Sequence, residues 1–295
     1  MRVFVTGATG WVGSATAPEL LAAGHEVVGL ARNDANAEAL AKMGVGAHRG
    51  ELADTDSLVA GAKACDGVIH LGFVHDWSNF MASVETDRLA VEAMLGALEG
   101  TGKPLVIASG TLMVAHGRPA TETDNPASVH SPRAAACMAV TASGARGVRG
   151  SVMRLPPTVH GAGDHGFISR LVAFARDKGV SPYIGDGASR WPAVHRSDAA
   201  RLFRLAVESA GPGSNLHAVA EEGVPMRAIA EVIGEGVGVP VRSIDAADAG
   251  AHFEFLAMFV GVDNPTSSAQ TREALGWTPT GPDLLTDIRV AGYCA

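Results

Sequence analysis

The sequence predicts an α/β fold in which a doubly wound parallel sheet is followed by a smaller C-terminal lobe. Three observations predict it. Short β-rich runs alternate with helical stretches from the first residues to Leu155. These runs are apolar end to end, as strands covered on both faces must be. A glycine-spaced turn, Thr6-Gly7-Ala8-Thr9-Gly10-Trp11-Val12-Gly13, joins the first strand to the first helix.

In chain order, Val3 to Thr6 reads as a strand and Trp11 to Ala23 as a helix stopped by Gly24. His25 to Leu30 is the second strand, and a helix at Ala35 to Met43 leads to a short strand at Gly46 to Arg49. Asp56 to Ala64 is helical, Gly67 to Leu71 is a strand, and Val84 to Leu98 is a long helix. Pro104 to Ala108 is a buried strand, Pro132 to Ser143 a helix and Ser151 to Leu155 a further strand. Beyond Pro156-Pro157 the rhythm loosens. Phe167 to Lys178 and Asp198 to Ser209 are helical around a Gly/Pro-rich stretch of loop and short strand, and Asn215 to Val219 is one more strand. Met226 to Gly234 and Thr271 to Leu275 are short helices. The expected division is 1–158 as a dinucleotide-binding domain of Rossmann type, with 192–222 returning to it, and 159–295 mostly as a substrate-binding lobe.

Composition narrows the function classes. At 295 residues, 47% hydrophobic and 18% charged, the chain is too apolar to be disordered and long enough for a sizeable core. A net charge of −8 without any Lys/Arg run argues against nucleic acid or an anionic membrane as the main partner. No apolar run approaches the roughly 20 residues of a membrane helix. Three widely spaced cysteines, Cys65, Cys137 and Cys294, suggest neither disulfide frame nor metal site and fit a reducing compartment. A strand at the very start leaves no room for a signal peptide, so the expected location is cytoplasmic.

The glycine-rich turn is the strongest motif. Gly7 makes the tight turn, Gly10 lets the backbone approach a pyrophosphate, and Gly13 lets helix and strand pack closely. Thr9, Trp11 and Val12 complete the cradle, where free amides at the helix N-terminus receive the phosphates. The second strand ends in Ala31-Arg32-Asn33-Asp34. An NAD site usually carries an acid at that tip, whereas the guanidinium of Arg32 suits a 2′-phosphate. NADP(H) is therefore preferred over NAD(H), with Asp34 as the counter-candidate. After the third strand, Glu51 or Asp54 could accept from an adenine amino group, with Leu52 beside them; an N-cap is the plainer use for Asp54.

Together these residues resemble the extended short-chain dehydrogenase/reductase superfamily, which contains the NAD-dependent epimerases and dehydratases and the 3β-hydroxysteroid dehydrogenases. The resemblance runs along nearly the whole chain: T-G-A-T-G-x-x-G, G-E-L-A-D near residue 50, V-I-H-L-G at 68–72, S-V-M-R-L-P-P-T-V-H-G at 151–161 and D-G-A-S-R-W-P-A-V-H-R-S-D at 186–198. It implies that Leu71, Gly72, Phe73, Pro156 and Val159 line the cofactor, and that the catalytic hydroxyl is Thr111, with Ser109 as runner-up.

The superfamily's catalytic Tyr-x-x-x-Lys is missing. There are four lysines and two tyrosines in all, with no Tyr before residue 183 and no Lys between 104 and 177. Superposition of the motif puts Arg133 at the tyrosine position and Cys137 at the lysine position. A guanidinium does not release a proton near neutrality, but it can hold an anion or polarise a carbonyl oxygen. Candidates for the acid are His75 beside Asp76, His116, His160 and Tyr183. His195 is expected to make a structural hydrogen bond. Phe73, Trp77, Phe80 and Trp191 are expected to make the pocket apolar.

The expected function is NADP(H)-dependent reduction of a small, largely apolar carbonyl or imine substrate by hydride transfer. The alternative is an NADP(H)-binding sensor or interaction module without redox chemistry. Sugar-nucleotide epimerisation or dehydration ranks third, because it leans hardest on the missing tyrosine. The expected partner is a small-molecule substrate, without nucleic acid or membrane, and a homodimer remains open.

Overall fold

The computed structural model describes residues 1–114, 117–125 and 131–295, with the backbone alone at Trp77 and Met113. His116 therefore lies outside the described residues, as does the side chain of Trp77.

The alternation seen in the sequence becomes a seven-stranded sheet. Its strands are β1 (Arg2–Thr6), β2 (Glu26–Ala31), β3 (Gly46–Arg49), β4 (Gly67–His70), β5 (Pro104–Gly110), β6 (Arg149–Leu155) and β10 (Ser214–His217). Their order is β10-β6-β5-β4-β1-β2-β3, and every pairing is parallel. The order reverses between β1 and β4, which opens a crevice at their carboxyl ends, the place where such sheets take ligands. This is the doubly wound parallel sheet that the sequence predicts.

Period-two alternation divides the core. Val3 and Val5 of β1 face one way, packing with Leu20 of α1 (Gly13–Ala22), Leu40 of α2 (Asp34–Lys42) and Leu202, Phe203 and Ala206 of α7 (Arg196–Ser209). Phe4 faces the other way, toward Leu58 of α3 (Thr55–Lys63), Val91 and Leu95 of α4 (Phe80–Leu98) and Val140 of α5 (Ala134–Thr141). Both faces are thus covered by helices that arise from the crossovers.

The chain leaves the sheet after β6 and builds a second core. Short strands β7 (Thr158–His160), β9 (Arg190–His195) and β11 (Glu221–Pro225) form a three-stranded sheet, while β8 (Ser181–Ile184) pairs with β12 (Val241–Ile244). Trp191, wholly buried, packs there with α6 (Phe167–Lys178), α8 (Met226–Val237), α9 (Ala249–Phe253) and α12 (Leu284–Val290). Between β9 and β11 the chain returns to the main sheet through α7 and β10. Helices α10 (Ala257–Val260) and α11 (Ala269–Leu275) complete the described α-helices. Among the described residues no helix is long and apolar enough to cross a membrane.

Candidate active site

The glycine turn has the shape a dinucleotide cradle needs. Gly7 has φ of +67°, and a Cβ there would meet the Gly72 amide nitrogen at 2.7 Å. A Cβ on Gly13 would fall 2.0 Å from the Gly7 carbonyl oxygen. No side chain caps α1, and among the described residues the amides of Trp11, Val12 and Gly13 have no protein acceptor. The first turn therefore presents open donors at the positive end of a helix, beside the crevice between β1 and β4. These residues fit a dinucleotide diphosphate.

Around the turn, Thr9 Oγ1 accepts from Asn36 Nδ2 at 3.3 Å. At the tip of β2, Arg32 is exposed, while Asp34 is engaged by Arg49. Asp54 caps α3 by accepting from the Ser57 amide at 3.1 Å, so it is the capping reading that applies. Glu51 is exposed, and Leu52 packs against Gly72. Val159 supplies its carbonyl to the Trp11 indole N–H at 2.7 Å, and Pro156 is buried just before it.

The carboxyl edge of β4 and β5 carries a second arrangement, around Arg133. Its Nε and Nη2 donate to the two Asp87 carboxylate oxygens, each at 3.1 Å, and Nη2 also donates to Ala108 O at 2.8 Å. Asp87 is buried on α4. Burial pushes its carboxyl up, yet the His70 hydrogen bond and the Arg133 charge outweigh this and hold its pKa below the usual range. His70 lies 3.3 Å from Asp87 Oδ1 and 2.7 Å from Thr6 Oγ1, which accepts the Gly72 amide at 3.1 Å. A buried chain of polar contacts thus links Arg133 to the glycine turn.

Arg133 also lies over Phe73, 4.7 Å from its ring centroid. The ring of Phe73 meets His75 at 5.2 Å and Phe80 at 6.1 Å. Desolvation and then the Arg133 charge lower the His75 pKa. Among the described residues Arg133 Nη1 has no protein partner, and its side chain is 16% exposed. Cys137 is buried and directs its thiol to Ser109 Oγ at 3.3 Å; burial pushes that thiol up, so it is no nucleophile at neutral pH.

Of three other expected catalytic groups, Thr111, just past β5, is already bonded, and His160 and Tyr183 lie in the second core. Thr111 is wholly buried, its hydroxyl donating to Asn264 Oδ1 at 2.8 Å while Asn264 Nδ2 returns a bond to Thr111 O at 3.2 Å. Its single hydroxyl hydrogen is committed, so Thr111 tethers the 264 loop. His160 is also wholly buried, with Nδ1 2.8 Å from Asp287 Oδ2, and it belongs to the joint between β7 and α12. Tyr183 lies under Arg227 on the two-stranded sheet of the second core. His195 caps α7 through Ser197, a structural use.

Asp87, His70, Asn264, His165 and Arg196 escape the sequence reading. Asp87 carried a signal: it falls on the stripe Val84, Asp87, Val91, Met94 of an otherwise apolar helix face. An acid there demands a buried partner. His165 carried none, since only the folded loop brings it edge-on to Trp11, with centroids 5.6 Å apart.

Comparison with known proteins places the chain in a family and supports its fold. The model of the NAD dependent epimerase/dehydratase family matches residues 3–219. An uncharacterized protein of Schizosaccharomyces pombe is 47% identical over 294 residues, covering 99% of this chain and 100% of its own. A 2-alkyl-3-oxoalkanoate reductase of Stenotrophomonas maltophilia is 28% identical over 81% of this chain and 77% of its own. The fold resembles that of MoeE5 in complex with UDP-glucose and NAD, with TM-score 0.77, 24% identity and coverage of 99% and 98%. With the family model spanning the sheet and the glycine turn in place, the chain belongs to the NAD dependent epimerase/dehydratase family.

Proposed function

We propose that the protein is an NADP(H)-dependent reductase of a small carbonyl compound, with Arg133 in place of the missing phenol as the group that polarises the carbonyl. One observation carries this reading: Arg133 is fixed by Asp87 and Ala108 O while its Nη1, at the carboxyl edge of β5, has no partner among the described residues. A preorganised donor aimed at developing charge lowers a barrier without reorganisation. Gly7, Thr9, Gly10, Trp11 and Val12 would hold the diphosphate, and Leu71, Gly72, Phe73, Pro156 and Val159 would flank the nicotinamide half. When bound, the cofactor supplies the hydride.

The chain's own part is orientation and charge. Arg133 Nη1 donates to the substrate oxygen and stabilises the alkoxide that forms there. Phe73 and Phe80 offer an apolar wall for the substrate. His75, beside Arg133, gives the alkoxide its proton when protonated. A fixed guanidinium favours an alkoxide and disfavours an iminium cation, so the arrangement supports carbonyl over imine substrates. A relative named for reduction of 3-oxoalkanoates supports the same class. Arg32, exposed at the β2 tip, supports NADP(H) over NAD(H).

The test is NADPH oxidation across small ketones, 3-oxo acids and aldehydes, comparing wild type with Arg133→Met. The expected result is turnover that falls at least about a hundredfold in the variant, the scale of losing an oxyanion donor. NADPH binding without turnover on any carbonyl overturns the reading and leaves the non-redox sensor in its place.

A further inference from the structure

Arg196 opens α7 and stands beside the first turn of α1. Its guanidinium lies 4.2 Å from the Trp11 ring, and its Nη2 donates to Ser14 Oγ at 2.7 Å. Ser14 spends its own hydrogen on the Gly10 carbonyl at 2.7 Å, so arginine, serine and glycine turn form one rigid unit. The Gly161 loop closes over it. A Cβ on Gly161 would lie 3.4 Å from Arg196 Cβ and 3.6 Å from the Trp11 ring.

Set against the chain's own charges, this placement is electrostatically unfavourable. The cation occupies the first position of one helix and faces the uncapped N-terminus of another, two places where the helix dipole favours negative charge. No carboxylate pairs with it among the described residues, although the protein's other part-buried arginines have carboxylate or carbonyl acceptors. Its Nε is buried with no hydrogen-bond partner among the described residues. Burial also lowers its pKa, though an arginine stays charged. An unpaired, part-buried guanidinium beside open amides calls for an anion that the chain itself does not supply.

We infer that Arg196 binds the diphosphate of the dinucleotide, reaching over Trp11 to add a charge-assisted bond to those from the glycine turn. The inference rests on the reading that a dinucleotide occupies that turn. It gives Arg196 and Arg32 separate tasks. Arg196 acts on the diphosphate shared by every form of the cofactor, and Arg32 acts on the 2′-phosphate alone.

The experiment is calorimetric titration of wild type and Arg196→Gln with NADPH, NADH and ADP-ribose. The expected result is a loss of about tenfold or more for all three ligands, the size of one charge-assisted hydrogen bond. Unchanged ADP-ribose affinity in Arg196→Gln overturns the inference. So does a loss confined to NADPH, which would put the guanidinium on the 2′-phosphate. Wild type that binds none of the three overturns the reductase reading as well, whereas wild-type binding with an unimpaired variant overturns this inference alone. If Arg196→Gln does not fold, phenylglyoxal modification of wild type, mapped by peptide mass, decides. ADP-ribose should slow modification of Arg196 at least about fivefold, and equal rates overturn the inference.

Discussion

Asp87 and Arg133 form a two-pronged pair, Nε to Oδ2 and Nη2 to Oδ1, each at 3.1 Å, with the carboxylate 2% exposed. Removing one member of a buried pair strands the other, which costs more than the pair is worth. Arg133→Met should therefore lose about 3 kcal/mol of stability in urea denaturation, the lower end for such pairs. Asp87→Asn/Arg133→Met should be more stable than Arg133→Met alone, because the buried carboxylate that would then face only His70 is removed. A double variant as unstable as the sum of the two single changes would show that the pair is not energetically coupled.

Thr111 and Asn264 separate a tether from a catalyst. Thr111→Val deletes the donor to Asn264 Oδ1 and leaves a buried amide oxygen unsatisfied, a loss of about 1–3 kcal/mol. Turnover per folded molecule should change by less than about threefold, since the hydroxyl hydrogen is already committed. A hundredfold drop in kcat at unchanged stability would return Thr111 to the reaction.

The extent to which the sequence reveals all this follows the range of the interactions. Strands such as Pro104–Gly110 show as apolar runs because each is covered on both faces, and Gly7 and Gly13 show because their tasks are local. The three-residue β7 and the pairing of β8 with β12 do not show, since so few residues carry no period and the register depends on distant partners. Counting tyrosines and lysines was enough to remove the usual acid pair. It could not reveal that Arg133 would meet Asp87, 46 residues away, or that Thr111 would be claimed by Asn264, 153 residues away.

Arg32 provides the test of cofactor choice. On the proposed reading, Arg32, exposed at the β2 tip, contributes only where a 2′-phosphate is present. Arg32→Ser should weaken NADPH about tenfold and leave NADH within about twofold, read by fluorescence titration. Equal loss of both ligands would show that Arg32 acts on the common part of the dinucleotide.

If His75 is the proton donor of the proposed reduction, it sets the pH dependence of turnover. Desolvation and then Arg133 lower its pKa from the ordinary value of 6.5, so the imidazole is mostly neutral at pH 7 and gains a proton only in more acid solution. Reduction, which consumes that proton, should accelerate as pH falls from 7 toward 5, measured as kcat. His75→Gln should flatten the profile over that interval. A variant with the wild-type pH dependence would mean that the proton comes from another group.

His217 should contribute to the pH dependence of stability. Its Nδ1 lies 2.7 Å from Ser267 O, where it donates, so Nε2, 3.2 Å from Arg154 Nη1, must accept. A protonated ring would turn that acceptor into a donor facing a guanidinium. Burial first, and then the Arg154 charge, lower its pKa from 6.5 to about 4. Between those values the unfolded chain takes up a proton that the folded chain refuses, so stability falls as pH drops below 6.5 and the loss levels off near 4. The full loss is on the order of 3 kcal/mol. Urea denaturation at pH 7 and pH 5 should show wild type losing about half of that or more, with His217→Gln losing less over the same interval. If both proteins lose stability equally between pH 7 and 5, the acid sensitivity lies with other groups and the His217–Arg154 contact does not control it.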